Sequence, residues 1–468
     1  MGPGLRVASG RLAVLAALAL CACALGPQYQ RPSIPAPAAW TSPPEGAAVA
    51  WPSSDWWRGF GSSQLDEYIA QAQRSNDDIA AAVARVREAD AQTRIVGAAL
   101  LPAVAASAGA TRARTRPAGG SPSTYTLYTP QVSASYELDF WGKNRAALDA
   151  AQATLAANRY DRATVELTVL CGVASTYFEA LALRERLAIA NRNLGAAQKT
   201  LDGLRLEEKA GMANALDVAQ QETAVATLYA TIPPLEQQLR QSMDALAILV
   251  GETPESVDLS AGTLRELSQP AVAPGLPSEL LARRPDVAEA EAQLIAANAD
   301  IAQARAAFFP SIALTASGGF ASEALSSALS PANAVYALGA ALTQPIFEGG
   351  ALEGQAAYTR ARYSELLAGY HKTVIGAFAN VEDALVALRQ TGEQVRRQRQ
   401  AVATAQRAYE IAQAQMRAGT INVLALLDTE RALFAAQDTM TQVELARMQA
   451  LVGLFNALGG GWRNAQEG

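Results

Sequence analysis

The segments Lys209-Ala210-Gly211-Met212-Ala213-Asn214-Ala215-Leu216 and Arg417-Ala418-Gly419-Thr420-Ile421-Asn422-Val423-Leu424, 208 residues apart, decide how this chain folds. Gly211 and Gly419 each follow a long helical run, where a glycine reverses the chain in the left-handed conformation. Each segment therefore reads as the tip of a helical hairpin. The same offset pairs Asp78 with Asp286, Ala98-Ala99 with Ala306-Ala307 and Pro102 with Pro310. It also pairs Glu222 with Glu430 and Gly251 with Gly459. One offset held over such a distance points to two copies of one half.

Outward from the tips the pattern is helical. Neither 143–210 nor 351–418 contains a proline, and at 1.5 Å per residue each would span roughly 100 Å. Apolar positions step by four and three along Leu183, Leu187, Ala190, Leu194, Ala197, Leu201 and Leu204. The second copy follows with Val395, Gln398, Val402, Ala405, Tyr409, Ala412 and Met416. That spacing is a coiled-coil seam. Each half also predicts an earlier helix, about Gln64–Leu100 and Val287–Phe308, stopped by Pro102 and Pro310.

Between these helices the period changes to two. Val132, Ala134, Tyr136, Leu138 and Phe140 alternate with Gln131, Ser133, Ser135, Glu137 and Asp139. In the second copy Ile312, Leu314, Ala316, Gly318 and Phe320 stand opposite Thr315 and Ser317. Such strands suit a membrane barrel with one face on lipid and one on a wet lumen; a half-buried soluble sheet alternates in the same way. Strands are expected at about 103–115, 126–140, 311–322 and 334–346, with Pro117–Thr124 and Glu323–Asn333 as outer loops. Four strands cannot close a barrel, which needs about eight, and open edges cannot be left in lipid. Other copies of the chain must complete it, in a number the pattern leaves open.

At the N-terminus Arg6 and Arg11 precede the apolar run Leu12 to Leu20, the layout of a secretory signal. Cys23 has Ala22 before it and Leu20 at −3, as lipoprotein processing needs; Cys21 has Leu20 before it. The sequence predicts a signal peptide over 1–22 and acylation of Cys23 (N-acyl and S-diacylglycerol, with palmitate among the chains), each buried CH₂ contributing about 0.8 kcal/mol. The proline-bearing stretch that follows reads as an extended tether. Trp51, Trp56 and Trp57 mark where packed structure begins. Beyond the leader no run of about 18 apolar residues stands out, so no further membrane-crossing helix is expected.

Half of the 468 residues are hydrophobic, but only 6% are aromatic, and mean hydropathy is +0.05. Small apolar residues suit long, closely packed helices better than a bulky core. Net charge is −6, and without a basic stripe nucleic acid is excluded as a partner. Cys21, Cys23, Cys171 and a single histidine, His371, leave little material for a zinc site or a Cys/His pair. Cys171 reads as a small core residue and His371 as a solvated one. Nothing resembles a nucleophile–base pair, a phosphate loop or a metal cluster, so no enzyme, cofactor or metal is expected.

The run Leu276-Pro277-Ser278-Glu279-Leu280-Leu281, Arg283-Arg284-Pro285-Asp286, Ala290-Glu291, Ala296-Ala297-Asn298-Ala299-Asp300-Ile301 and Phe308-Phe309-Pro310-Ser311-Ile312 resembles the outer-membrane efflux proteins of the TolC type. With Cys23 and Gly26-Pro27-Gln28-Tyr29-Gln30-Arg31-Pro32 it is most similar to their lipoprotein branch, typified by OprM and NodT. The similarity runs from about Cys23 to Trp462. It implies an α+β membrane protein: a homotrimer with a twelve-strand β-barrel, four strands per chain, continued by a long α-helical coiled-coil barrel. A small mixed equatorial domain would come from about 40–62, 250–285 and the C-terminal end. The corresponding segments are 1–22, signal peptide; 23–62, lipidated tether and equatorial segment; 63–251, first repeat; 252–285, equatorial linker; 286–459, second repeat; and 460–468, tail.

The function implied is the passive exit duct of a tripartite RND-type efflux system, lipid-anchored in the outer membrane and extending into the periplasm. An inner-membrane RND pump supplies the drive, a periplasmic adaptor (membrane fusion) protein couples the two, and cargo specificity lies mainly with the pump. Two other readings stand beside it. One keeps the fold and exports a polysaccharide, a peptide or a metal. The other is a structural coiled-coil lipoprotein tethering two envelope layers, which leaves the alternating strands unexplained.

Arg417 to Arg431 resembles the family's periplasmic gate, with Leu424, Asp428 and Arg431 at the narrowing positions. Leu424 and Asp428 lie four apart on one helix face and Arg431 one step further. Under threefold symmetry they would form an apolar constriction and an acidic girdle, means of gating and of selecting charge; as a bare pair Asp428 and Arg431 would contribute a few tenths of a kcal/mol. The first copy has Gln220 and Thr223 in place of Asp428 and Arg431, so only the second hairpin keeps the charges. Ala425 stands where the TolC branch carries a second acidic residue. Whether Leu424 or the Asp428 ring closes the duct stays open. The tips Lys209, Ala210, Gly211, Arg417, Ala418 and Gly419 are candidate docking points for the adaptor, or only tight turns.

Overall fold

The computed structural model describes residues 26–41, 51–116, 119–259, 262–272 and 274–463. The expected signal peptide, Cys23 and residues 464–468 of the tail lie outside them. Apart from short helical turns, the elements in chain order are α1 (Ser63–Ser75), α2 (Asp77–Gly97), β1 (Ala103–Thr115), β2 (Ser123–Leu138), α3 (Lys143–Lys209), α4 (Ala215–Val250), α5 (Pro285–Ala306), β3 (Ser311–Phe320), β4 (Ala334–Thr343), α6 (Ala351–Arg417) and α7 (Val423–Ala457). The chain divides into two compact units.

One unit comprises Met1–Ser33, Arg85–Arg159 and Glu289–His371 and holds the strands. They form one antiparallel sheet in the order β1-β2-β3-β4. Its register sets Val104 opposite Ala134, Ala134 opposite Ala316, and Ala316 opposite Leu338. The next rows on that face are Tyr136, Leu314 and Ala340, then Leu138, Ile312 and Leu342. The other face carries Ala103, Ser135, Thr315 and Gly339, and Ser133 opposite Ser317. Along these rows one face is apolar and the other polar or small, while toward the far end of β1 and β2 Arg112 and Arg114 stand on the first face and Leu127 on the second. β1 and β4 are the edges, and all of β4 is exposed.

Several boundaries differ from the sequence reading. β2 ends at Leu138 rather than near 140 because the Asp139 carboxylate accepts from the backbone N–H groups of Asn144 and Arg145, both at 2.9 Å, and so caps α3. β4 ends at Thr343, short of 346; Pro345, two residues on, has no N–H for the ladder. β3 ends at Phe320, and Ser322 pairs with Tyr128 only as an isolated bridge. At the ends of the strands the Trp141 indole donates to Pro310 O at 2.8 Å and its ring lies 4.8 Å from Phe309.

The other unit comprises Ile34–Ala84, Tyr160–Ala288 and Lys372–Gly468. Its aromatic core stacks Trp56 on Phe455 at 4.8 Å and sets Phe60 against Phe178 at 4.9 Å. The predicted coiled-coil seam is buried in part: Leu183 and Ala190 of α3 pack with Ile232 and Leu235 of α4, and Val395 of α6 with Met440 and Val443 of α7, with Leu187, Leu194 and Val402 half-buried beside them. One window of α3 is apolar enough to cross a membrane by length and composition, against the sequence expectation, but 56% of it is buried inside the structure. Cys171 is buried in this stretch and His371 is exposed.

The predicted helix over 64–100 is in fact two helices and a short turn, broken at Asn76. Asn76 is extended, accepts from the Ile79 N–H (3.0 Å), and donates to Leu249 O at the end of α4 (2.9 Å). At the position 208 residues on, buried Arg284 donates to Ala457 O at 2.9 Å and to Asp286. Gly251 and Gly459 end the two returning helices at φ +73° and +80°. A Cβ on Gly251 would come within 2.2 Å of Ser75 O, and one on Gly459 within 2.0 Å of Arg283 O. Gly251→Ala and Gly459→Ala will each destabilise by about 1–3 kcal/mol or more. Thermal unfolding followed by circular dichroism checks this against Gly203→Ala, whose Cβ meets nothing within 4 Å; equal midpoints would refute it.

Candidate functional site

The two hairpin tips are built alike. Gly211 and Gly419 sit at φ +69° and +68°. Gly211 N–H bonds to Glu208 O (2.9 Å) and Met212 N–H to Glu207 O (2.8 Å), and in the second tip Gly419 bonds to Met416 O and Thr420 to Gln415 O, both at 3.0 Å. These crossed bonds end α3 and α6 with their last carbonyls satisfied. The Asn214 and Asn422 side chains then accept from Asp217 N–H (2.9 Å) and Ala425 N–H (3.1 Å) and start the returning helices. Lys209, Ala210, Gly211, Arg417, Ala418 and Gly419 are all exposed. The Arg417 guanidinium donates to Gln413 Oε1 at 2.8 Å.

Behind the tips, Leu201 and Leu204 of α3, Val218 of α4, and Val423 and Leu427 of α7 form one buried cluster. That packing orients α7. With Val423, Leu426, Leu427 and Leu433 buried, the helical period turns Leu424, Asp428 and Arg431 to the exposed side. Asp428 Oδ1 and Arg431 Nη1 are 3.9 Å apart with more than half of each side chain in solvent, so the pair contributes at most about 1 kcal/mol. Leu424 shares their face. In the first hairpin the Thr223 hydroxyl bonds back to Ala219 O at 2.9 Å.

Three features escaped the sequence reading. Arg186 of α3 and Asp438 of α7 form a two-point ion pair at 2.6 and 3.1 Å; they lie 252 residues apart, and no local pattern joins them. Gln221 of α4 is fully buried, donating to Ala197 O at 2.8 Å. Glu430 of α7 is 2% exposed; burial pushes its carboxyl up to about 7 against the pull of Arg431. The available signal was Glu430's place three residues beyond Leu427, on the seam side of the helix. Among the described residues no group of three or more His, Cys, Asp or Glu side chains could hold a metal ion.

An open sheet with one apolar face and paired helical hairpins define a channel-forming membrane protein. The outer membrane efflux protein family model matches residues 68–252 and 276–460, two segments displaced by 208, and the chain belongs to that family. It is an outer-membrane channel, the exit duct of an efflux system, with a periplasmic extension. It is 42% identical to the pyoverdine export outer membrane protein OpmQ of Pseudomonas aeruginosa, over 97% of both chains. It is 36% identical to the toluene efflux pump outer membrane protein TtgF of Pseudomonas putida, again over 97% of both. The outer-membrane channel OprN superposes with a TM-score of 0.89 at 27% identity, covering 94% of this chain and 100% of that one.

Truncating the cluster behind the tips should loosen them. Leu427→Ala will cost about 2–5 kcal/mol locally and speed proteolysis at both tips, whereas exposed Thr223→Ala will not. Equal cleavage rates in limited proteolysis would contradict the packing described.

Proposed function

We propose that three copies of this chain form one duct, a twelve-strand barrel of four strands each continued by a coiled-coil tube, through which solutes pass without an energy source in the chain itself. The observation that carries this reading is the open four-stranded sheet, apolar on one face and unpaired along β1 and β4. In hydrocarbon each unsatisfied backbone group costs several kcal/mol, and a neighbouring copy offers the complementary edge. The matching positions at offset 208 support an origin by duplication of one half.

In this assembly Leu424, Asp428 and Arg431 of α7 gather around the axis and narrow the periplasmic end. Acyl chains on Cys23 add an anchor to the outer membrane, and the exposed tips offer the adaptor its docking points, with an RND pump behind it. The residues named as gate, anchor and tips serve conduction, with no catalytic group among them. Relatives named for pyoverdine export and for toluene efflux carry unlike cargoes on one scaffold, which agrees with selection by the pump.

Purified protein will run as a heat-resistant trimer and conduct ions in steps across a planar bilayer; an elongated, non-conducting species would favour the tethering role instead. Replacing Asp428 and Arg431 with Ala will raise single-channel conductance, and unchanged conductance would put the gate elsewhere. Labelling with radioactive palmitate will be lost in Cys23→Ala if Cys23 is the acylated residue.

A further inference from the structure

Glu222 and Glu430 hold equivalent places in the two hairpins, 208 residues apart, yet their surroundings are opposite. Glu222 is exposed and pairs across its hairpin with Arg205 at 2.8 Å. In the second hairpin Gln413 stands where Arg205 stands in the first, and it is engaged by Arg417. Glu430 is buried, and neither of its carboxyl oxygens has a hydrogen-bond partner. It lies three residues beyond Leu427 on α7, as Gln221 lies three beyond Val218 on α4, and Leu427 and Val218 share the cluster that joins the hairpins. Gln221 Oε1 is likewise buried without a partner. The Glu430 carboxyl oxygens and Gln221 Oε1 are thus unpartnered, each three residues beyond a member of that cluster.

An ionised carboxylate only accepts hydrogen bonds, and burying one that accepts none is costly. A protonated carboxyl fits the same space and has an O–H to give to an acceptor of the Gln221 Oε1 kind. The charged group acting on Glu430 is Arg431 on its own helix, and Tyr409 on α6 is the titratable group that senses it. On α4 the buried polar residue next to the cluster, Gln221, is neutral.

We propose that Glu430 is a proton-operated latch for the periplasmic tip: protonated, it lets the second hairpin pack closed against the first, and ionised, it drives α7 out of that packing toward water. This deepens the gate reading and rests on it for the location of the gate. Burial raises the carboxyl from 4.5 to about 7, so the packed state holds its proton more tightly than a released one. Closure is therefore favoured in full below pH 4.5, weakens by up to about tenfold per pH unit above it, and the effect is spent once pH has risen through about 7.

The test is the distance between nitroxide labels on Met212→Cys and Thr420→Cys, one on each tip, in the full-length protein by pulsed electron paramagnetic resonance. A short-distance population will dominate at pH 4.5 and give way to a longer one as pH passes about 7. Glu430→Gln, permanently neutral, and Glu430→Met, apolar, will hold the short population throughout. A wild-type distribution that does not change with pH overturns the latch, and so does a response that survives both substitutions. A Glu430-dependent response beside unchanged conductance in the Asp428 and Arg431 variants would support the latch while removing the gate from those residues.

Discussion

A strand that ends a sheet carries N–H and C=O groups along its outer side, and in lipid only another strand can satisfy all of them. β1 and β4, of 13 and 10 residues, both end the sheet of this chain. Much else follows from those two open edges. On the proposed trimer, exposed apolar side chains find cover on a neighbouring copy, and Leu206, Leu216, Tyr229 and Ile375 are each more than half exposed. In that assembly alanine can stand in place of aromatics, because no chain would have to enclose a core alone. Around Trp56, Phe60, Phe178 and Phe455 the chain builds an aromatic core of its own.

The halves agree at the ends of the returning helices and differ near the tips. At the ends of the returning helices Asn76 and Arg284 both reach the last turn, at Leu249 and Ala457, and Gly251 and Gly459 both leave room for a backbone carbonyl. Different side chains make the same contact, so geometry rather than residue type is held in common there. Near the tips it is the reverse. Arg205 and Glu222 make a solvated ion pair in the first hairpin, while Gln413 and Glu430 at the matching places do not pair. Further along, α4 carries Pro233 and Pro234 inside the helix, where α7 has Thr441 and Gln442.

Hairpins, long helices and alternating strands were legible in the sequence because each rests on a period, and a period survives any single residue. What failed rested on single side chains. Asn76 interrupts a run that is helical by composition, through one cap and one long-range bond. Asp139 sits in register with the polar face of β2 yet turns to cap α3. The exposed face of Leu424, Asp428 and Arg431 followed from spacing, whereas the burial of Glu430 did not, since a charge normally marks solvent. Arg186 and Asp438 could be paired only once the packing of α3 and α7 was known.

A gate must open, and so the packing that closes it has to be weaker than the packing that supports it. Along α3 and α4, Leu183, Ala190, Ile232 and Leu235 pack as one apolar cluster. Toward the tips the seam ends on Leu427 and Val218, and the next layer holds an amide oxygen and a carboxyl without partners. Local opening free energies follow buried apolar contacts and satisfied polar groups, so unpartnered groups there lower the cost of separating the hairpins. An apolar residue at Glu430 would extend the seam and tighten the tip; a surface carboxylate there would be indifferent to opening. In the proposed latch a buried, ionisable one makes closure conditional, and it stands two residues from Asp428 and next to Arg431, the charges on the exposed face of the same helix.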